Sequence, residues 1–143
     1  NTIYIGEGIT QTVINENTTN KHDITFTNNI VIKEGTGTAT FNLKNNAATL
    51  AHNTLANIRS TPGNPGGTTT DPRLTDPTGA LPDGLRLRSG SPALRAGTPV
   101  PGSPRRDLYG NPVGNPPNMG AYQGRGVAGP LRPTATADAG SAS

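Results

Sequence analysis

The sequence predicts an all-β chain in two unequal parts. Short strands stacked as a parallel β-helix, a solenoid, occupy residues 1–60, and an irregular Pro/Gly-rich wrap follows over 61–123. Three observations predict it. All eight Ile lie before Ser60 and all fourteen Pro lie after it. Leu, Ile, Val and Phe supply 15 of the first 60 residues but only 10 of the last 83, so only the first part can bury a continuous apolar stripe. Finally, Thr25-Phe26-Thr27-Asn28-Asn29-Ile30 matches Thr49-Leu50-Ala51-His52-Asn53-Thr54 as Thr-apolar-x-polar-Asn-x at a spacing of 24. A repeat of about two dozen residues, built from short strands and tight turns, is a solenoid signature.

The strands follow in order. Ile3-Tyr4-Ile5, Thr12-Val13-Ile14, Ile24 to Thr27, Ile30-Val31-Ile32, Ala39 to Leu43 and Ala48-Thr49-Leu50 are short, mostly alternating, and rich in β-branched or aromatic residues. Between them lie Gly6-Glu7-Gly8, Asn15 to Asn20, Gly35-Thr36-Gly37 and Asn45-Asn46, all turn-forming compositions. No window places apolar residues at i, i+3, i+4 and i+7, so no helix is expected. Asn-Gly is absent and Asp83-Gly84 is the sole Asp-Gly, which argues against a hairpin meander. In stacked coils Asn29 and Asn53 would occupy the same turn, where their amides can hydrogen-bond along the stack.

Composition narrows the classes further. Leu, Ile, Val and Phe number 25 of 143, and Gly plus Pro number 33. That apolar content is low, but disorder also needs high net charge, and here it is +3. A thin solenoid, which needs one or two inward side chains per strand, accounts for both values. Apolar runs of three or four residues are too short for a transmembrane helix or a secretory h-region. Without Cys there is no disulfide framework, thiolate zinc site or cysteine nucleophile.

The second part carries a distinctive string. Asp71-Pro72-Arg73-Leu74-Thr75-Asp76-Pro77 precedes Leu85-Arg86-Leu87-Arg88-Ser89-Gly90-Ser91-Pro92-Ala93-Leu94-Arg95-Ala96-Gly97-Thr98. Arg106-Asp107-Leu108-Tyr109-Gly110-Asn111-Pro112 and Met119-Gly120-Ala121-Tyr122-Gln123 follow. In this order the segments resemble the C-terminal end of bacterial secreted right-handed parallel β-helix proteins with a choice-of-anchor Q domain, related in architecture to pectate lyases. Phe26 to Ile32 and His52-Asn53-Thr54 are similar to coils of that family. The resemblance covers roughly residues 24 to 123. It implies a secreted, extracellular or cell-surface location and a carbohydrate-active parent protein, a polysaccharide lyase or a glycoside hydrolase. A non-catalytic surface or filament-forming β-solenoid is the alternative.

The chain departs from that family at Arg95, where an Asp is usual, and at Tyr109 and Gln123, where acids are common. The turn residues are kept. Ser91 and Pro92 would hold a turn, Gly97 and Gly110 would allow positive φ, and Gly120 would allow close backbone approach. The stretch 71–123 is expected to pack back along the last coils and cover the open end, since solenoids need caps. Residues 124–143 are small, polar and patternless, as in a tail. About two and a half coils precede the wrap, fewer than an independent solenoid needs. The chain therefore reads as the C-terminal part of a longer secreted protein, or one piece of a multi-chain assembly. Its expected partner is an upstream β-helix portion of the same protein or a partner chain.

Candidate chemistry is sparse. Glu7, Glu16, Asp23 and Glu34 are the only acids among the strands, and they read as turn residues more readily than as a hydrolytic pair. His22-Asp23 forms a proton-transfer dipeptide or an ordinary turn. Four residues are candidates for binding a substrate: His52 as a neutral base, Lys44 for a carboxylate, and Arg86 and Arg88, which alternation with Leu85 and Leu87 puts on one face of a strand. Each also has a structural reading as a coil or surface residue. Arg105-Arg106 beside Asp107 reads as a local ion pair. Eight Arg scattered among prolines make a poor nucleic-acid platform despite a pI near 9.7. No metal-ligand spacing occurs, and calcium through turn Asp and carbonyl oxygens is the one cofactor left open. Asn17-Thr18-Thr19 is a lone sequon.

Overall fold

The computed structural model describes residues 1–16, 23–43, 48–79 and 82–128 of the chain. Lys44, His22, the Asn17 sequon, Asn45-Asn46 and most of the proposed tail lie outside the described residues. The described chain is all-β, with seven short strands, no α-helix and a single 3-10 turn at Pro82–Leu85. The strands are β1 (Thr2–Ile5), β2 (Gln11–Asn15), β3 (Ile24–Thr27), β4 (Ile30–Lys33), β5 (Ala39–Asn42), β6 (Ala48–Ala51) and β7 (Thr54–Ala56). β7 was not expected from the sequence: Thr54-Leu55-Ala56 is too short to display alternation.

Every strand pair is parallel. β1, β4 and β7 form one sheet in that order, while β2 pairs with β5 and β3 with β6. Each sheet therefore receives every third strand, and the two strands between supply the long connection that parallel pairing requires. Thr25 lies opposite Thr49 and Ile30 opposite Thr54, so the spacing of 24 is the register of these two pairs. Thr2 lies opposite Ile30 and Gln11 opposite Ala39, four residues longer. The β2–β5 register slips between Thr12 and Ile14, with Val13 as the extra residue of a bulge.

The β1–β4–β7 sheet is covered on both faces. Ile5, Val31 and Leu55 point one way, into a cluster with Ala39 of β5 and Leu50 of β6. Ile30, Ile32 and Ala56 point the other way, against Leu74, Leu87, Ala93, Met119 and Tyr122. This is why Ile30-Val31-Ile32 is an unbroken apolar run: alternate side chains enter two different cores.

The wrap thus lies on the outer face of this sheet, and the end of the stack is met by a shorter stretch. Leu55 N–H donates to Thr68 O, and Thr54 bridges Thr68 in parallel, so 64–68 covers the free edge of β7. The expectation that 71–123 covers the open end is corrected accordingly. Ile30 and Ile32 would otherwise face water, and the wrap's apolar residues bury them.

Within the wrap Leu74 and Leu87 pair in an antiparallel bridge, and Met119 N–H bonds Ala93 O at 2.9 Å. Ser91 Oγ donates to Pro72 O at 2.5 Å and accepts Ala93 N–H, closing the turn that Pro92 occupies. Gly110 has φ +83. Gly97 does not have positive φ, contrary to expectation; it is required for space, since a Cβ there would lie 2.8 Å from Asn28 Oδ1 and 3.0 Å from Pro117 O. At Gly120, with φ +88, a Cβ would lie 2.6 Å from Ile30 Cδ1 and 2.8 Å from Thr2 Oγ1.

Leu87→Ala should destabilise the chain by about 2–5 kcal/mol in urea unfolding, because the side chain is 1% exposed and its cavity opens between wrap and sheet. A loss below about 1 kcal/mol would mean that the wrap contributes little to stability.

Candidate functional site

Two arrangements stand out, a row of asparagines through the turns and a set of arginines on the wrap. The row starts at Asn1, whose amino nitrogen and Nδ2 donate to Asn29 Oδ1 at 3.0 and 3.1 Å. Asn29 N–H and Nδ2 donate in the same way to Asn53 Oδ1, at 2.8 and 3.1 Å. Asn53 N–H and Nδ2 then donate to Asn64 Oδ1, both at 3.1 Å. Each side chain accepts two bonds from one coil and passes two to the next. The residues preceding Asn29 and Asn53 are Asn28 and His52, with φ of 59° and 54°, a left-handed turn that Asn and His tolerate better than most.

The row has a direction. Asn64 Nδ2 turns back to Asn53 O at 2.9 Å and closes one end. At the other end no hydrogen bond reaches Asn1 Oδ1 among the described residues. There the outward edges of β1 and β2 are unpaired by any described strand, and a hollow of about 370 Å³ lies between them, lined by Ile3, Ile5, Ile9 and Val13 among others.

The sequence-predicted binding residues do not converge. His52 is a half-buried turn residue whose N–H bonds Pro65 O and whose ring lies over Gly66, where a Cβ would be 2.5 Å from Cε1. No carboxylate hydrogen-bonds its ring among the described residues, so nothing orients it as a base. Arg86 and Arg88 sit on the wrap beside the Leu74–Leu87 bridge, and no hydrogen bond joins them to His52. Lys44 lies outside the described residues. Glu7 accepts Thr36 Oγ1 and N–H, which with the nearby Lys33 charge hold its carboxyl below the usual value, and Glu34 accepts Tyr4 Oη at 2.7 Å. Asp23 is exposed. Both carboxyl oxygens of Glu16 are buried with no hydrogen-bond partner.

Three features escaped sequence reasoning. Lys33, 3% exposed, points its ammonium at the carbonyls of Gly6, Glu34 and Thr36, three donors for three acceptors. Its position at the end of an apolar run carried no signal. Arg73 lies beside Arg88, whose N–H bonds Arg73 O at 3.0 Å. Asp107 is the third. It accepts Tyr109 N–H, Asn111 N–H and Nδ2, and Gln123 N–H.

Those four bonds replace the expected ion pair. With the Asp107 carboxylate filled, Arg106 donates instead to Gly110 O at 2.7 Å. Gln123 likewise explains its departure from an acid: its Nε2 donates to Asn118 O and Gly120 O, which no carboxylate could do. Burial, and then the Asp83 charge, push the Tyr109 hydroxyl above its usual value, and that hydroxyl donates to Pro82 O. Among the described residues no three acidic or His side chains converge to hold a metal ion, and no helix is long and apolar enough to cross a membrane.

Burial raises the Asp107 pKa, but the bonds from Asn111, Gln123 and Tyr109 outweigh it and leave the carboxyl below its usual 3.8. The stability that it contributes is therefore present above the unfolded value near 3.8 and is lost as pH falls through the lower folded value. Asp107→Asn should flatten that acid limb in thermal melts between pH 5 and pH 2, two settings about a unit beyond the transition on either side. An unchanged acid limb would remove Asp107 from the linkage.

No family model matches the chain, and no curated protein matches it either.

Proposed function

We propose that the chain is a structural, closing module of a secreted carbohydrate-active protein built as a right-handed parallel β-helix. The observation that carries this reading is the direction of the asparagine row. It ends at Asn64, where the amide folds back, and it presents an unused acceptor at Asn1 beside open strand edges and an apolar hollow. A parallel coil of the same kind would fill all three, donating an amide to Asn1 Oδ1 and covering Ile3 and Ile5. Its source is an upstream portion of the same polypeptide or a partner chain.

Three sheets visited in rotation, with registers of 24 to 28 residues, support the β-helix. The sequence resemblance supports the secreted location and the carbohydrate class. Fold likeness by itself does not carry an activity, and the described residues bring together no acid and base. The module is accordingly assigned a scaffolding role, with lyase or hydrolase chemistry belonging to other coils. The row's direction weighs against the filament-forming alternative, because end-to-end stacking of copies needs a donor at the Asn64 end and none is offered.

Duplicating residues 1–28 ahead of Asn1 adds one coil in register with the existing row. It should raise Tm by about 5 °C, corresponding to roughly 1 kcal/mol. The same coil inserted after Asn64 should lower Tm. Equal effects at the two ends, or a loss at the Asn1 end, would refute the directional module.

A further inference from the structure

Seven arginines lie in the described part of the wrap, and none pairs with a carboxylate among the described residues. Three of them are clustered. Arg88 N–H bonds Arg73 O across the Leu74–Leu87 bridge, which brings residues 73 and 88 side by side on neighbouring strands. Arg86 lies two residues from Arg88 on the same strand face. Leu74 and Leu87 are buried beneath, while Arg73 is exposed and Arg86 and Arg88 are half-exposed. Like charges on adjacent strands destabilise a sheet unless a counter-charge is present.

The guanidiniums are held by carbonyls only. Arg73 Nη1 donates to Gly90 O at 3.3 Å, where Gly90 leaves room for it, and Arg86 Nε donates to Asp83 O at 3.1 Å. Each carbonyl uses one N–H and leaves the rest of the fork for another acceptor. The Tyr109 ring stands close enough to feel the Arg86 charge and packs edge-on against Tyr122 at 5.5 Å. Of the acids here, Asp107 is filled by backbone and amide donors, and Asp83 carries the one nearby counter-charge.

We infer that Arg73, Arg86 and Arg88, beside the half-buried Tyr109 ring, form a docking face for an acidic polysaccharide, a polyuronate. A planar guanidinium fork matches a sugar carboxylate in bidentate fashion, and an aromatic ring offers an apolar platform to the sugar's C–H face. Repeating carboxylates along one polymer would engage several forks at once, whereas a neutral glucan offers them no charge. The face is a binding surface and contributes no chemistry. It names the ligand of the carbohydrate reading above and rests on it. The coil-addition experiment reads stability and the one below reads binding, so either can fail alone.

The intact chain would be titrated calorimetrically with polygalacturonate, with dextran, and with a single-stranded oligodeoxynucleotide, at low and at near-physiological salt. Polygalacturonate should bind, dextran should not, and affinity should fall as salt screens the exposed charges. The triple variant R73Q/R86Q/R88Q should lose at least ~10-fold in affinity. The double variant R59Q/R105Q, which removes exposed charge elsewhere, should change by less than ~3-fold. Circular dichroism and Tm confirm that each variant remains folded. The inference is overturned if the triple variant binds as the parent does, if the control variant loses as much, if dextran binds equally, or if the oligonucleotide binds as tightly as the polyuronate.

Discussion

The side-chain amide of asparagine is the group on which this structure depends. A tight turn between stacked strands leaves backbone N–H groups pointing along the stack, and burying them unpaired costs about 1–3 kcal/mol each. Asn53, fully buried, accepts the Asn29 N–H and Nδ2 through one oxygen and donates to Phe26 O and Asn64 Oδ1 through one nitrogen. Asp would keep the acceptor and lose the donor, and Leu would lose both. The turn therefore constrains the residue type more tightly than the strands do. Strand positions accept any β-branched or aromatic residue of suitable size.

A second constraint follows from thickness. A narrow stack of three- to five-residue strands encloses a small interior, and here that interior holds Ile5, Val31, Ala39, Leu50 and Leu55. Apolar burial of this size supports only a marginal fold. The chain compensates by using the outer face of one sheet as the base of a second core. The wrap contributes Leu74, Leu87, Ala93, Met119 and Tyr122 to it without forming extended strands of its own. Its backbone is satisfied by turns, side-chain caps and the Asp107 junction, which suits a sequence rich in Pro and Gly. Low branched-apolar content and a real core are compatible because two layers share one sheet.

How much of this was legible depended on the range of the interaction. Strand identity is local, and the β-branched runs declared it for six of the seven strands. The pairing of Asn29 with Asn53 was legible because a spacing of 24 repeats in the sequence. Where the wrap would lie was not legible, since Ile30-Val31-Ile32 reads equally as a buried strand of one core or the shared strand of two. Arg73 beside Arg88 depends on an antiparallel bridge fifteen residues apart in sequence, with no periodic signal. Asp107 is bound by Gln123, and its adjacency to Arg105 and Arg106 suggested an ion pair that closer donors forestall. The Gly97 misreading has the same origin. A glycine needed for space at Asn28 and Pro117 looks, in sequence, like one needed for positive φ.

The contact between Ala121 and Thr2 has a consequence for how the protein comes into being. Ala121 N–H bonds Thr2 Oγ1 at 2.9 Å, and Gly120 N–H bonds Asn28 O at 2.7 Å, so the last apolar residues of the wrap sit on the first strands. A ribosome adding about 5–20 residues per second releases β1 and β4 well before Met119, with the outer sides of Ile30 and Ile32 bare for several seconds. During that interval the nascent stack is a half-covered sheet with open edges, the form most apt to pair with a neighbouring chain. The long sequence separation that completes the fold is therefore also a period of exposure, and dilution or a holding chaperone should matter most before the wrap arrives.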